Sequence, residues 1–145
     1  MSMLRMMAED ETYNMKQADT MHRCILSVDD DAMNNKIVAH IMRDEPMYEV
    51  VSALNGNEAL AILGRQAVDL ILLDVNMPEM DGLETLKRIR EQYQTPVVLM
   101  TSDRTLDIAI EYSTYGCDNY ITKPLSPLIV KEIVHNMTEQ TNIES

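Results

Sequence analysis

Five short apolar runs alternate along this chain with segments whose apolar residues recur at helical spacing. Such an alternation with short connections predicts βαβ units, and right-handed crossovers place helices on both faces of a parallel sheet. The run at 68–74, VDLILLD, is almost continuously apolar, as expected of a strand covered on both faces. The predicted strands cover 24–28, 48–53, 68–74, 96–101 and 119–122. The first predicted helix contains Ile37, Val38, Ile41 and Met42, and Pro46 ends its segment. The other predicted helices cover 58–63, 83–93, 104–115 and 127–139. Gly64 ends the first of these four and Gly116 ends the third.

The composition fits one globular domain. Hydrophobic residues make up 46% of the 145 residues, which is enough for a single sizeable core. Residues 1–22 show no clean period, so we predict a flexible extension there rather than a partner-binding helix. The domain itself is predicted to span 23–139, and 140–145 would form a short tail.

The charge of the chain narrows its partners and its compartment. A net charge of -12 repels phosphate backbones and anionic lipid, so we expect no direct contact with nucleic acid or with a membrane. No apolar run approaches the roughly 20 residues that span a bilayer, and the N-terminus lacks the apolar block of a signal peptide. These features predict a cytoplasmic protein.

The cysteines and histidines show no pattern of a metal or disulfide site. Because nothing else indicates an oxidising compartment, Cys24 and Cys117 are predicted to be free thiols. The histidines, His22, His40 and His135, are scattered without zinc-ligand spacing, and we predict that all three are ordinary surface residues.

Polar side chains follow four of the predicted strands. Residues 29–31 are three aspartates after the first strand, Asp74 ends the third, Thr101 ends the fourth and Lys123 follows the fifth. Carboxyl ends of parallel strands share one edge, which is where such sheets bind ligands. Two carboxylates about 5 Å apart repel by roughly 3 kcal/mol at an effective dielectric near 20, so a hard cation such as Mg²⁺ is indicated. A carboxylate beside such an ion can accept a phosphoryl group, whose oxygens Lys123 and Thr101 would then contact.

Four sequence blocks stand out along the chain: ILSVDDD (25–31), LILLDVNMPEMDGLE (70–84), VVLMTS (97–102) and GCDNYITKPL (116–125). Together they resemble the receiver domain of bacterial response regulators. The likeness covers roughly residues 23–139 and implies a flavodoxin-like (βα)₅ fold, a three-layer sandwich with a parallel five-stranded sheet in the order 2-1-3-4-5. It further implies a signalling switch rather than an enzyme with an external substrate. The phosphoryl donor would be a phosphohistidine on a sensor histidine kinase or a histidine phosphotransfer protein.

The resemblance implies a role for each acidic position. Asp74 would be the phosphoacceptor and a ligand of Mg²⁺. Asp30 would bind the ion directly, Asp29 would bind it through water, and Asn76 would offer its backbone carbonyl. Asp31 is better explained as the cap of the first helix.

The same resemblance implies roles near the last two strands. Lys123 would pair with a phosphoryl oxygen, and the bond from Lys123 to Pro124 would be cis. Thr101 would move to hydrogen-bond the phosphoryl group, and Tyr120, predicted to lie beside Thr101 across the sheet, would turn inward behind it. Asp103 would face the entrance of the site.

Some positions depart from subfamily patterns. Residues 116–120 read GCDNY and Ile133 falls near a position where regulators with winged-helix output carry Arg, which puts their charged dimer interface in doubt. A homodimer therefore stays open, as do the output, the kinase and the question of a stand-alone or fused chain. At Asn35, in the first predicted helix, the sequence resembles receivers fused to hybrid sensor kinases.

Three other functions fit the residues less well. A phosphatase working through an aspartyl phosphate would need a second acid two residues after Asp74, where this chain has Asn76. A flavin-binding module would place a phosphate loop at 29–31, where the aspartates would repel FMN. A receiver used only as a docking scaffold is disfavoured because the charged set at the strand ends is intact.

Overall fold

The computed structural model describes residues 22–77, 80–102 and 106–144. Five parallel strands form one sheet in the order β2-β1-β3-β4-β5, which confirms the predicted fold and strand order. The strands are β1 (Arg23–Val28), β2 (Tyr48–Ala53), β3 (Leu70–Asp74), β4 (Val97–Thr101) and β5 (Asn119–Thr122). The helices are α1 (Ala32–Met42), α2 (Gly56–Arg65), α3 (Gly82–Gln92), α4 (Leu106–Thr114) and α5 (Pro127–Glu144).

Two hydrophobic clusters lie on opposite faces of the sheet. One contains residues of α2, α3 and α4, and the other contains residues of α1 and α5. Successive β3 side chains alternate between them: Leu70 and Leu72 belong to the second cluster, Ile71 and Leu73 to the first. All four are fully buried, and each such side chain stabilises the fold by about 1.5–3 kcal/mol. The buried central strands therefore give their carboxyl ends a rigid base.

Several element ends differ from the prediction. The third strand begins at Leu70 rather than at 68, because the Asp69 carboxylate accepts a hydrogen bond from the backbone N–H of Cys24 at 2.7 Å. The helix predicted to stop at Gly64 continues to Arg65, since an isolated glycine costs a helix only about 1 kcal/mol. The last helix, predicted to end at residue 139, extends to Glu144.

One histidine prediction is wrong. His22 and His40 are exposed, but His135 is half-buried and stacks on Tyr48 with ring centroids 5.5 Å apart. Its Nε2 lies 3.2 Å from a carboxylate oxygen of Glu45. The ring therefore links α5 to the start of β2, which its isolated position in the sequence did not indicate.

The described residues test some of the remaining predictions and leave others untested. Cys24 and Cys117 are both free in the structure, as predicted. Residues 1–21 of the predicted 1–22 extension, the last residue of the predicted tail, and Asp103 lie outside the described residues. Within the described part of the chain, no helix has the length and apolar character required to cross a membrane.

Candidate functional site

Three carboxylates meet at the carboxyl edge of the sheet. Val28 of β1 pairs with Leu73 of β3, so the residues that follow them, Asp29 and Asp74, are neighbours. One carboxylate oxygen from each of these two residues and one from Asp30 all lie within 4.8 Å of one another. Asp29 and Asp74 are buried, at 1% and 4% exposed, whereas Asp30 is exposed. The cluster therefore opens to solvent on the side of Asp30.

Lys123 is the cation that the structure places at these carboxylates. Its Nζ donates hydrogen bonds to Asp29 Oδ2 at 2.9 Å and to Asp74 Oδ1 at 3.1 Å. Its backbone N–H donates to the carbonyl oxygen of Thr101 at 2.7 Å, and the Lys123–Pro124 bond is cis, as the resemblance implied. Among the described residues, one ammonium group faces three carboxylates, so these side chains together keep an excess of negative charge.

The burial and the charges shift the pKa values of this pair. Burial raises the pKa of Asp74 to about 6, and the nearby charge of Asp29 adds to the effect, while the hydrogen bond from Lys123 opposes it. Burial acts to lower the pKa of Lys123, but the hydrogen bonds and charges of the two carboxylates outweigh it, so that pKa is raised. Lys123 therefore stays an ammonium ion, and most Asp74 side chains are ionised at neutral pH.

The backbone of the loop after β3 contacts the Asp74 side chain. The amide N–H of Asn76 donates to Asp74 Oδ1 at 3.4 Å, and the Asn76 side chain is exposed. Gly82, at the start of α3, packs so close that a Cβ there would lie 2.6 Å from the carbonyl oxygen of Asp74. Asp81 caps the same helix by accepting from the N–H of Glu84 at 2.9 Å. A glycine is thus required where α3 meets the end of β3. Pro78, which belongs to the same loop, lies outside the described residues.

The end of β4 differs in one respect from the predicted arrangement. Thr101 is buried, at 3% exposed, and pairs across the sheet with Thr122. Tyr120 pairs with Leu99 instead, so its predicted place beside Thr101 is wrong by two residues. Its side chain is 38% exposed and lines a surface cavity of about 310 Å³ between α4 and β5, so the ring is not turned inward in this conformation.

Sequence reasoning missed a buried polar pair behind the acidic cluster. The Ser27 hydroxyl donates to Asn35 Oδ1 at 2.8 Å, and the Asn35 amide nitrogen donates to the carbonyl oxygens of Asp29 and Ala53. Two signals were available: Ser27 interrupts an otherwise apolar strand, and Asn35 lies three residues before Val38 on the buried face of α1. Neither signal by itself identifies a hydrogen-bonded pair.

The donor set fits a hard divalent cation. Mg²⁺ in proteins takes oxygen ligands, usually from one or two carboxylates with waters completing its shell. The carboxylates of Asp29, Asp30 and Asp74 supply such oxygens, and the negative charge that Lys123 leaves uncompensated favours a cation there.

Comparison with known proteins assigns the family. The sequence profile described as response regulator receiver domain matches residues 25–135. The chain therefore belongs to the response regulator receiver domain family.

Relatives show where such domains occur. A protein-glutamate methylesterase/protein-glutamine glutaminase of Trichodesmium erythraeum is 44% identical over 104 residues, covering 69% of this chain and 30% of that protein. The transcriptional regulatory protein CpxR of Klebsiella pneumoniae is 38% identical over 107 residues, covering 70% of this chain and 43% of that protein. The chain thus spans less than half the length of either relative.

Solved structures match over a larger share of their length. The chemotaxis response regulator CheY4 of Vibrio cholerae has a TM-score of 0.74 at 32% identity, covering 80% of this chain and 98% of that one. A CheY-like receiver domain protein of Methanospirillum hungatei has a TM-score of 0.78 at 27% identity, covering 86% and 99%.

Proposed function

We propose that Asp74 accepts a phosphoryl group in a Mg²⁺-dependent reaction and that the modified domain controls an output or a partner. The donor would be a phosphohistidine on a sensor histidine kinase or a histidine phosphotransfer protein. The observation that carries the proposal is the cluster of three carboxylate oxygens within 4.8 Å, with Lys123 Nζ bonded to two of the three residues. Membership in the receiver family supports it.

In the proposed reaction, a carboxylate oxygen of Asp74 attacks the phosphorus of the donor. The bond from phosphorus to the imidazole nitrogen breaks, its electron pair stays on that nitrogen, and an acyl phosphate forms on Asp74. With a pKa of about 6, Asp74 is mostly the carboxylate that this attack needs at neutral pH. Lys123, already 3.1 Å from Asp74 Oδ1, is close enough to bond a phosphoryl oxygen after the transfer.

The cation would be held by this chain's acidic strand ends. Asp30 and Asp74 would bind it through carboxylate oxygens, Asp29 through a water, and Asn76 through its backbone carbonyl. When bound, Mg²⁺ supplies positive charge that offsets the charge on the phosphoryl oxygens. The solvent-exposed position of Asp30 leaves room for such an ion to enter.

The switch would involve Thr101 and Tyr120. The Thr101 hydroxyl would move to bond a phosphoryl oxygen, and Tyr120 would leave its partly exposed position at the α4–β5 cavity and turn inward. Both residues are on paired strands, so a shift of Thr101 can be transmitted to β5 through the sheet. The added phosphoryl charge would bias the equilibrium between the two arrangements.

Intact-mass measurement after treatment with acetyl phosphate and Mg²⁺ tests the acceptor. We expect one added phosphoryl group on the wild-type protein and none on Asp74→Ala or in excess EDTA. Asp107→Ala is a matched control because Asp107 is an exposed carboxylate on α4. Labelling of Asp74→Ala at the wild-type level would overturn the assignment.

Calorimetric titration with Mg²⁺ tests the ligands. We expect Asp30→Ala to weaken binding much more than Asp31→Ala, because Asp31 is committed to capping α1, where it accepts from the N–H of Met33 at 2.9 Å. The reverse order would mean that the ligands are assigned one residue out of register.

A further inference from the structure

Asn35 is a fully satisfied amide in the core. It is 2% exposed, and its nitrogen donates to the carbonyl oxygens of Asp29 and Ala53, each at 3.1 Å. Its Oδ1 accepts from the hydroxyl of Ser27, which is fully buried, at 2.8 Å. Both amide protons and the amide oxygen are therefore used inside the protein. These bonds connect α1 to the carboxyl ends of β1 and β2.

An amide is a costly choice for this position. Asn35 shares the buried face of α1 with Val38, Ile41 and Met42, where an apolar side chain would pack without any need for hydrogen bonds. Asparagine is also a poor former of helix interiors, and burying its amide is unfavourable unless every polar atom is paired. Core packing alone therefore does not explain the residue. What it does that an apolar residue cannot is hold two backbone carbonyls.

One of those carbonyls belongs to Asp29. The backbone N–H of Asp29 donates to the carbonyl of Ala53 at 3.1 Å, and Asn35 bonds its backbone oxygen. Its side chain accepts from the N–H of Asp31 at 3.0 Å and from Lys123 at 2.9 Å. Asp29 is thus held at four points. The bond from Asn35 attaches the main chain to a helix rather than to another part of the acidic cluster.

We infer that Asn35 is a positioning residue for the acidic cluster: its bridge from Asp29 to Ala53 fixes the end of β1 and keeps the oxygens of Asp29, Asp30 and Asp74 at a spacing that binds a divalent cation. This inference rests on the proposed function. Like-charged carboxylates push the end of β1 away from β3. Without the bridge, that repulsion spreads the oxygens and weakens the binding of the cation.

Calorimetric titration with Mg²⁺ alone tests the inference, with urea unfolding of each variant measured in parallel. Loss of a group that orients metal ligands typically costs 10- to 100-fold in affinity, so we expect Asn35→Ala to raise the Mg²⁺ dissociation constant about tenfold or more. Ser27→Ala keeps both bonds to the carbonyls, and its dissociation constant should stay near that of the wild type. Val134→Ala, a fully buried position on α5, should lose stability and keep its Mg²⁺ affinity.

A double variant separates positioning from folding. Ser27→Ala/Asn35→Leu replaces the Ser27 hydroxyl and the Asn35 amide with apolar groups and fills the space that Asn35→Ala leaves empty, so it should recover part of the stability lost in Asn35→Ala. Its Mg²⁺ affinity should remain as weak as that of Asn35→Ala, because the bond to the carbonyl of Asp29 is still missing. If Asn35→Ala does not fold, this variant carries the test. Recovery of affinity together with stability would show a structural role only and would overturn the inference.

Hydrogen exchange in the metal-free protein gives a readout that needs no ion. We expect Asn35→Ala to speed exchange of the Asp29 amide proton, which bonds Ala53, and to leave the amides of β4 unchanged. Unchanged exchange at Asp29, or wild-type Mg²⁺ affinity in Asn35→Ala, would overturn the inference while leaving the proposed function intact. A wild-type protein that bound no Mg²⁺ would contradict the proposed function and this inference with it.

Discussion

Replacing Asp74 with asparagine should stabilise the metal-free protein at neutral pH. The pKa of Asp74 is raised to about 6 from the ordinary 3.8, mainly by burial and further by the charge of Asp29. The folded protein therefore keeps this proton at a pH where the unfolded chain has lost it. The resulting stability is fully present below pH 3.8 and is lost as the pH rises through about 6.

The size of the effect follows from the two pKa values. At about 1.36 kcal/mol per pH unit, the interval from 3.8 to about 6 corresponds to about 3 kcal/mol lost at pH 7. Asparagine has the shape of the neutral acid and carries no charge, so Asp74→Asn should recover part of this. We expect a gain in the free energy of unfolding of about 1–3 kcal/mol at pH 7, because the amide bonds Lys123 less strongly than the carboxylate does.

Urea unfolding measures the gain and is followed by far-UV circular dichroism, because the chain has no Trp to report on unfolding. EDTA is present throughout to keep the protein metal-free. The difference between variant and wild type should shrink as the pH falls from 7 toward 4. Asp107→Asn removes the same charge from an exposed position on α4 and controls for relief of the general negative charge. Equal stability of Asp74→Asn and wild type at pH 7, or a gain matched by Asp107→Asn, would refute the reasoning.

Two further predictions concern neighbours of Asp74. Lys123→Met leaves two buried carboxylates without their cation, and it should lower the free energy of unfolding at pH 7 by about 2–3 kcal/mol, less than a fully buried pair would lose because the lysine is 20% exposed. Urea unfolding at pH 7 and pH 4.5 checks this, since the loss should shrink at pH 4.5, where Asp74 with its pKa of about 6 is mostly protonated, and a loss of equal size at both pH values would not be electrostatic. Gly82→Ala should cost about 1–3 kcal/mol because its Cβ would meet the carbonyl of Asp74, whereas Gly64→Ala, with open space around it, should gain up to about 1 kcal/mol in the same assay. Losses of equal size in the two variants would contradict the close approach at Gly82.

The apolar pattern predicted the strands better than it predicted the ends of the helices. Every side chain of β3 and β4 is buried, so continuous apolar runs marked these strands. The end of α2 was predicted too early because a glycine such as Gly64 destabilises a helix without ending it, and the residues around it keep their helical hydrogen bonds. Helix ends depend on hydrogen-bonded caps such as Asn55, which accepts from the N–H of Glu58 at 2.8 Å.

The rule for strand ends brought the charged residues of the site together correctly, but it does not give the register. Tyr120 and Thr122 lie on the same face of β5. Moving β5 by two residues along β4 would therefore leave the same side chains buried. The sequence therefore cannot decide which of them pairs with Thr101, and the structure selects Thr122. The hydrogen bonds of Asn35 could not be predicted either. They join an α1 side chain to the backbone at the ends of two strands, and the spacing of those strands is set by the whole sheet.

Asp74 weakens the metal-free fold at neutral pH and is also one of the carboxylates proposed to bind Mg²⁺, so stability and metal binding should be linked. An ion that binds only the folded state adds about 2.7 kcal/mol at 100 times its dissociation constant. We expect Mg²⁺ to stabilise the wild type by about this amount and Asp74→Asn by less, since one charged ligand of the three is gone. The advantage of Asp74→Asn seen in EDTA should therefore narrow or reverse as Mg²⁺ rises in urea-unfolding experiments, with KCl of equal ionic strength as the control. An equal gain in both proteins would mean that the ion acts elsewhere on the acidic surface, and the link between the cluster and the metal would be lost.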